Sequence, residues 1–171
     1  PASCTRGLLS APMSVEEFGG KAVSIMRDAV HADVALSTAR SFRQALPRGR
    51  ITLEALRTAM PYDNEILVYS LRGDAVEKLL AYGNSRKGSD SFAVVAAPAA
   101  IDPARMYRVA TTDYLARNAP GYRDFFEGLT PETPGLRVRG EVNRWLRGLA
   151  VGQERSKLRP LGLPWRRSRR H

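Results

Sequence analysis

The chain has 171 residues, enough for one domain with its own hydrophobic core. One cysteine excludes an internal disulfide, and two histidines leave too few ligands for a Cys/His zinc site or a His-rich dinuclear metal centre. The net charge is +10, and subtracting the seven basic residues of the acid-free segment 155–171 leaves +3 on the rest. The sequence therefore predicts a mildly basic body and a strongly basic tail.

Neither a membrane span nor a complete signal peptide is recognisable. No apolar run reaches the roughly 18 residues that a transmembrane helix requires. The chain begins at Pro1 rather than Met, which leaves a preceding segment open.

Helices and strands alternate along the chain. Ser14 and Glu17 fit a capping box at the start of an amphipathic helix, and Thr52 is placed to cap another. In order, the predicted elements are an extended lead-in (1–13), a helix from Ser14 to about His31, a strand (33–37), a polar loop (38–49), a helix after Thr52, a strand (65–71), a helix that Gly83 ends, strands at 92–97 and 106–112, a short aromatic helix (122–126) and a helix containing 142–149.

This mixture predicts one α+β domain with a mixed sheet and packed helices. We place the domain at residues 14–150, between the lead-in and a basic tail at 151–171.

Four short motifs follow one another in this order. They are ADVAL with TARSFR (32–36 and 38–43), GRIT with PYDN (49–52 and 61–64), LRGDAV (71–76), and YRVATTDYLARNAPGY (107–122). Their order resembles the C-terminal, substrate-binding domain of the 5'-nucleotidase family, which includes bacterial UDP-sugar hydrolases and animal ecto-5'-nucleotidase.

The resemblance implies a division of labour between two domains. In the family, an N-terminal metallophosphatase domain holds two metal ions and hydrolyses the nucleotide, whereas the C-terminal domain binds the nucleoside. We therefore expect neither catalytic residues nor a metal or other cofactor in this chain. Divalent metals are expected only in a separate catalytic domain or chain, and the chain alone is expected to be inactive in nucleotide catabolism.

Three side chains match binding positions of the family. Tyr62 and Tyr114 fall where two aromatic rings sandwich the base, and Arg43 matches an arginine at the phosphate or ribose end. The alternative from the residues alone is that Tyr62 packs on the surface, Tyr114 is a core aromatic and Arg43 is a solvated loop residue.

The motifs also depart from the family pattern. Thr38 replaces an asparagine near the metals and phosphate, and Arg40 and Ser41 replace glycines. Pro120 replaces an aspartate that would hold ribose hydroxyls, in a loop that begins at Asn118. Thr38, Arg40 and Asn118 join the substrate-binding candidates, although these changes are expected to weaken, retune or abolish nucleotide binding.

Two acids lie near the motifs and invite an acid–base interpretation. Asp33 opens a predicted strand and Asp113 closes another. An acid at such a position is more often a cap or turn residue, which is the interpretation that we prefer.

Other functions stay open at this stage. The domain could be a degenerate, non-catalytic interaction module that uses its surface and basic tail, or an enzyme with a new activity in the old pocket. We do not expect nucleic acid as a partner, because the charge is not spread over the folded body. The resemblance implies a periplasmic, secreted or surface-attached protein.

Overall fold

A computed structural model describes residues 5–157. Its strands are β1 (Thr5–Leu9), β2 (Val34–Thr38), β3 (Gly49–Thr52), β4 (Ile66–Arg72), β5 (Ala93–Ala96) and β6 (Met106–Thr112). Its helices are α1 (Val15–Ala29), α2 (Leu53–Ala59), α3 (Gly73–Ser85), α4 (Asp113–Arg117) and α5 (Val138–Lys157), with 3-10 turns at Ala39–Ser41 and Arg123–Phe125.

The central sheet has four strands in the order β4–β6–β2–β5. Strands β2 and β6 are parallel, with Val34 opposite Val109, whereas β4 and β5 run antiparallel to their neighbours. The predicted α+β class with a mixed sheet is therefore confirmed.

Strand β2 is buried along its whole length because both faces of the sheet are covered. Val34 and Leu36 point into a core formed with α3 and α4, whereas Ala35 points into a core formed with α1, α2 and α5. Side chains that alternate along β2 therefore pack into two different cores. Because both sets are buried, the strand sequence is a continuous apolar run, which is the pattern that predicted it.

Local capping signals predicted the helix starts correctly. The Ser14 hydroxyl accepts a hydrogen bond from the Glu17 amide at 3.1 Å, and the Glu17 carboxylate accepts one from the Ser14 amide at 2.7 Å. These bonds hold the pKa of Glu17 below its usual range. The Thr52 hydroxyl accepts a bond from Ala55 at 3.1 Å and caps α2 in the same way.

A second, two-stranded sheet joins β1 to β3 in antiparallel register. We expected β1 to be part of an unpatterned lead-in and the GRIT motif to belong to a helix start. Strand β1 also packs on α5, where a Cβ at Gly7 would lie 2.5 Å from the carbonyl oxygen of Leu146. Neither the pairing nor this packing has a local sequence signal.

The predicted boundary at residue 150 falls inside a helix. Helix α5 continues to Lys157, and residues 158–171, which make up most of the basic tail, lie outside the described residues. The assignment of a separate tail remains a prediction. Among the helices of residues 5–157, none combines the length and apolar character needed to cross a bilayer.

The expectation that Gly83 ends α3 is wrong, since the helix continues to Ser85. Gly83 is buried, and a Cβ added to it would lie only 2.4 Å from the Cβ of Ala93 in β5. The missing side chain therefore allows α3 to approach the edge of the sheet.

We expect Gly83→Ala to lower the free energy of unfolding by about 1 kcal/mol or more, because the overlap with Ala93 outweighs the helix-propensity gain of alanine. The matched control is Gly20→Ala in α1, where an added Cβ meets nothing within 4 Å. That change should raise the free energy of unfolding by about 0.4–1 kcal/mol. Urea unfolding followed by circular dichroism measures both values, and equal stabilisation of the two variants would refute this packing account.

Candidate functional site

A cavity of about 540 Å³ opens at the edge of the sheet where β2 and β6 end and β4 begins. The carboxyl ends of two neighbouring parallel strands meet there, which is the place where open α/β sheets commonly bind ligands. The loops that follow β2 and β6 form two walls, and the turn that precedes β4 forms a third.

The structure places the six sequence-predicted binding residues in or next to this cavity. Five of them line it: Thr38, Arg40, Tyr62, Tyr114 and Asn118. Arg43 lies beside Tyr62, with Nη2 at 3.4 Å from the phenol oxygen and Cζ at 5.9 Å from the ring centroid. Their role in binding stays a prediction.

Tyr62 and Tyr114 are exposed by 46% and 39%, whereas the other ten aromatic side chains of residues 5–157 are buried or partly buried. Neither tyrosine contacts the other's ring within the described part of the chain. Tyr114 is therefore not a core aromatic, and both rings leave surface free for a planar ligand.

Two arginines at the start of α5 hold the turn that carries Tyr62. Arg139 donates hydrogen bonds to the carbonyl oxygens of Met60 and Pro61, at 3.3 and 3.1 Å, and forms an ion pair with Asp63 at 3.3 Å. Arg137 donates to the carbonyl oxygen of Asp63 at 2.6 Å. These bonds fix the backbone on both sides of Tyr62.

A buried phenylalanine anchors the loop that carries Arg40 and Arg43. The ring of Phe42 packs edge-on against Phe18 of α1, with centroids 5.8 Å apart. The Arg43 amide donates to the carbonyl oxygen of Ala59 at 2.8 Å, which ties the loop to the end of α2. Packing thus brings both guanidinium groups to the same side of the cavity as Tyr62.

This loop accommodates Arg40 and Ser41, at positions where the resemblance implies glycines. Arg40 and Ser41 form the 3-10 turn, and neither has a positive φ. The Ser41 hydroxyl lies 3.0 Å from that of Ser37, and the Arg40 amide donates to the carbonyl oxygen of Asp90 at 3.0 Å. The substitutions therefore change the lining of the cavity without straining the backbone.

Tyr114 is presented by the first turn of α4. The Thr112 hydroxyl caps this helix by accepting from the Leu115 amide at 3.2 Å. The Asp113 carboxylate accepts from the Tyr114 amide at 2.9 Å, and the Asp113 amide donates to the carbonyl oxygen of Glu65. Asp113 therefore has contacts typical of a turn residue, as we preferred.

Asp33 lies at the other end of the sheet and forms an ion pair with Arg105 at 2.9 Å. Because Val34 is paired with Val109, Asp33 and Asp113 are separated by about five residues of strand, or roughly 16 Å. An acid–base pair between them is excluded by this distance.

Sequence reasoning missed Arg137 and Arg139. Both arginines act on a turn more than seventy residues earlier, and nothing in their local sequence distinguishes them from the other arginines of the chain. Within residues 5–157, no three His, Cys, Asp or Glu side chains form a group that could hold a metal ion.

The family resemblance has independent support. Residues 14–97 match the sequence model of the family described as "5'-nucleotidase, C-terminal domain". No curated protein sequence is significantly similar to the chain. The matched stretch contains the first three of the four motifs and, together with the fold, confirms the resemblance to the C-terminal domain of 5'-nucleotidases.

Solved structures show the same fold. A 5'-nucleotidase precursor from Thermus thermophilus has a TM-score of 0.71 at 16% identity, covering 85% of this chain and 36% of that protein. An NAD nucleotidase from Haemophilus influenzae has a TM-score of 0.71 at 15% identity, covering 86% and 36%. A putative 5'-nucleotidase from Staphylococcus aureus, in complex with alpha-ketoglutarate, has 0.71 at 10% identity, covering 84% and 38%. The chain spans little more than one third of the length of these proteins.

The guanidinium groups of Arg43 and then Arg40 lower the pKa of the Tyr62 phenol below its usual range. Positive charge beside the phenol stabilises the phenolate. Replacing Arg43 by alanine should therefore raise the pKa of Tyr62 toward that of a free tyrosine, while Arg40 continues to lower it. Carbon-13 NMR titration of the tyrosine Cζ signals, with Tyr62→Phe to assign the resonance, measures the change. An unchanged pKa would mean that Arg43 does not lie beside Tyr62 in solution.

Proposed function

We propose that the domain binds a nucleoside or nucleotide in the 540 Å³ cavity, with the base between Tyr62 and Tyr114. The observation that carries the proposal is the pair of exposed tyrosines on the walls of one cavity, beside the guanidinium groups of Arg40 and Arg43. A flat apolar surface next to cationic hydrogen-bond donors suits a ligand with a planar base and an anionic end.

The two parts of the ligand would be recognised by different forces. Stacking of a base on an aromatic side chain is worth about 1–3 kcal/mol and depends little on the identity of the base. A hydrogen bond from a guanidinium to a phosphate oxygen is worth about 1.5–3 kcal/mol. We therefore assign affinity for the base to the tyrosines and selection of the phosphate to Arg43, with Arg40 as an additional donor.

In this proposal the domain is the substrate-binding part of a 5'-nucleotidase-type hydrolase of nucleotide catabolism. Its contribution to catalysis is orientation of the ligand. Hydrolysis belongs to a metal-dependent phosphatase domain, in the same polypeptide or in a partner chain. The family match and the fold support this role, and the resemblance implies a periplasmic, secreted or surface-attached location.

The tyrosine pair is tested by calorimetric titration with adenosine and with AMP. Each of the changes Tyr62→Ala and Tyr114→Ala should weaken both ligands about 5- to 150-fold, because each removes one stacking surface. The double variant should show no saturable binding at millimolar ligand.

The matched control is Met106→Ala, which truncates a side chain that is 54% exposed at the opposite end of β6. Its affinities should equal those of the unsubstituted chain. Absence of heat from the unsubstituted chain at millimolar adenosine and AMP would overturn the proposal.

Arg43 is tested by comparing the two ligands. Arg43→Ala should weaken AMP about 10- to 150-fold, because one charged hydrogen bond is lost, and should leave adenosine within about twofold. Arg48→Ala is the control, since Arg48 is an exposed arginine of the same loop without a hydrogen bond or ion pair in residues 5–157. Equal weakening of adenosine and AMP by Arg43→Ala would place Arg43 at the nucleoside and not at the phosphate.

A further inference from the structure

A second cavity of about 210 Å³ shares Asp63, from the turn that carries Tyr62, with the first. Three arginines line it: Arg57 from the end of α2, Arg137 from the residue before α5, and Arg139 from the first turn of α5. Asp63 is the one carboxylate among its lining residues. Three guanidinium groups against one carboxylate leave a local excess of two positive charges.

Most of the hydrogen-bond donors of these arginines have no acceptor in the described part of the protein. The Arg57 guanidinium makes no hydrogen bond or ion pair within residues 5–157. Arg137 uses one N–H group, which donates to the carbonyl oxygen of Asp63. Arg139 uses its two terminal nitrogens on the same turn, in hydrogen bonds to Met60 and Pro61 and an ion pair with Asp63. Because a guanidinium carries five N–H donors, Arg57 and Arg137 can both donate to a ligand without breaking a contact of the fold.

An unpaired amide lines the same cavity. The buried Oδ1 of Asn143 has no hydrogen-bond partner, and it is the one buried side-chain polar atom of the described part in that situation. The Oδ1 atom is closed to solvent, so the part of Asn143 that can serve a ligand is its NH₂ group. This group would donate to an anion oxygen.

The cavity is large enough for a small tetrahedral oxyanion. Its volume of about 210 Å³ is many times the space that one water molecule needs, which leaves room for the anion and a few waters.

We infer that this cavity is a second anion site, which binds a phosphate-type dianion through Arg57, Arg137 and the Asn143 amide. The inference is independent of the proposed function, because the ligand needs no base and touches neither tyrosine. The same chemistry would serve inorganic phosphate or a phosphate group that projects from a larger molecule.

The test is titration of the chain with inorganic phosphate at constant ionic strength, followed by calorimetry and by amide NMR. We expect saturable, millimolar binding, with the amide signal of Gly140 in the cavity wall among those that shift. Arg57→Gln should weaken phosphate about tenfold, because one charged donor group is lost. Since the Arg57 guanidinium makes no hydrogen bond or ion pair in the described fold, thermal unfolding should be unchanged.

Arg48→Gln is the matched control, and its phosphate affinity should equal that of the unsubstituted chain. Titration with glycerol phosphate distinguishes the two sources of the phosphate group. An affinity equal to that for inorganic phosphate indicates a site open to phosphate esters, and a weaker affinity indicates a site for free phosphate. Absence of saturable phosphate binding, or equal affinities of Arg57→Gln and the unsubstituted chain, would overturn the inference. Adenosine titration of Arg57→Gln reports on the tyrosine cavity separately, so the two proposals can fail independently.

Discussion

The parallel pairing of β2 with β6 is the constraint on which the cavity depends. Both strands are covered on their two faces, and their register brings their carboxyl ends to one edge of the sheet. The loop after β2 and the first turn of α4 therefore face each other, although more than seventy residues separate them. An antiparallel pairing of these two strands would have sent Thr38 and Tyr114 to opposite ends.

The third wall of the cavity is stabilised from outside the sheet. The carbonyl oxygen of Leu136 accepts a hydrogen bond from the Ile66 amide at 2.8 Å, and the carbonyl oxygen of Asn64 accepts one from the Val138 amide at 3.1 Å. Together with the guanidinium groups of Arg137 and Arg139, these bonds tie the start of α5 to the turn around Tyr62. Rigid supports of this kind reduce the ordering cost of binding, because the side chains are already in place.

What the sequence could predict depended on distance along the chain. The capping residues Ser14 and Thr52 act on neighbours three positions away, so their signals were readable and the helix starts were predicted correctly. The family motifs predicted six candidate side chains, five of which line the cavity, and their role in binding stays a prediction. The pairing of β1 with β3, the packing of Gly83 on Ala93 and the action of Arg139 on the Tyr62 turn join distant segments. Neither hydrophobic periodicity nor local composition identifies which distant segments will pair, so these contacts are seen only in the folded structure.

Each wall of the cavity has its own support: the burial of Phe42 for one loop, the Thr112 cap for α4, and the start of α5 for the turn. The walls are also joined to one another, because the Asp113 amide donates to the carbonyl oxygen of Glu65 and the Arg43 amide to that of Ala59. Of the residues that depart from the pattern that the resemblance implies, Arg40, Ser41 and Pro120 lie in turns or loops, whereas Thr38 is the last residue of β2. The side chains that line the pocket, such as Arg40, Tyr62 and Tyr114, are thus carried by a loop, a turn and a short helix at the end of the sheet. They can therefore be exchanged without changing the strands that pair beneath them.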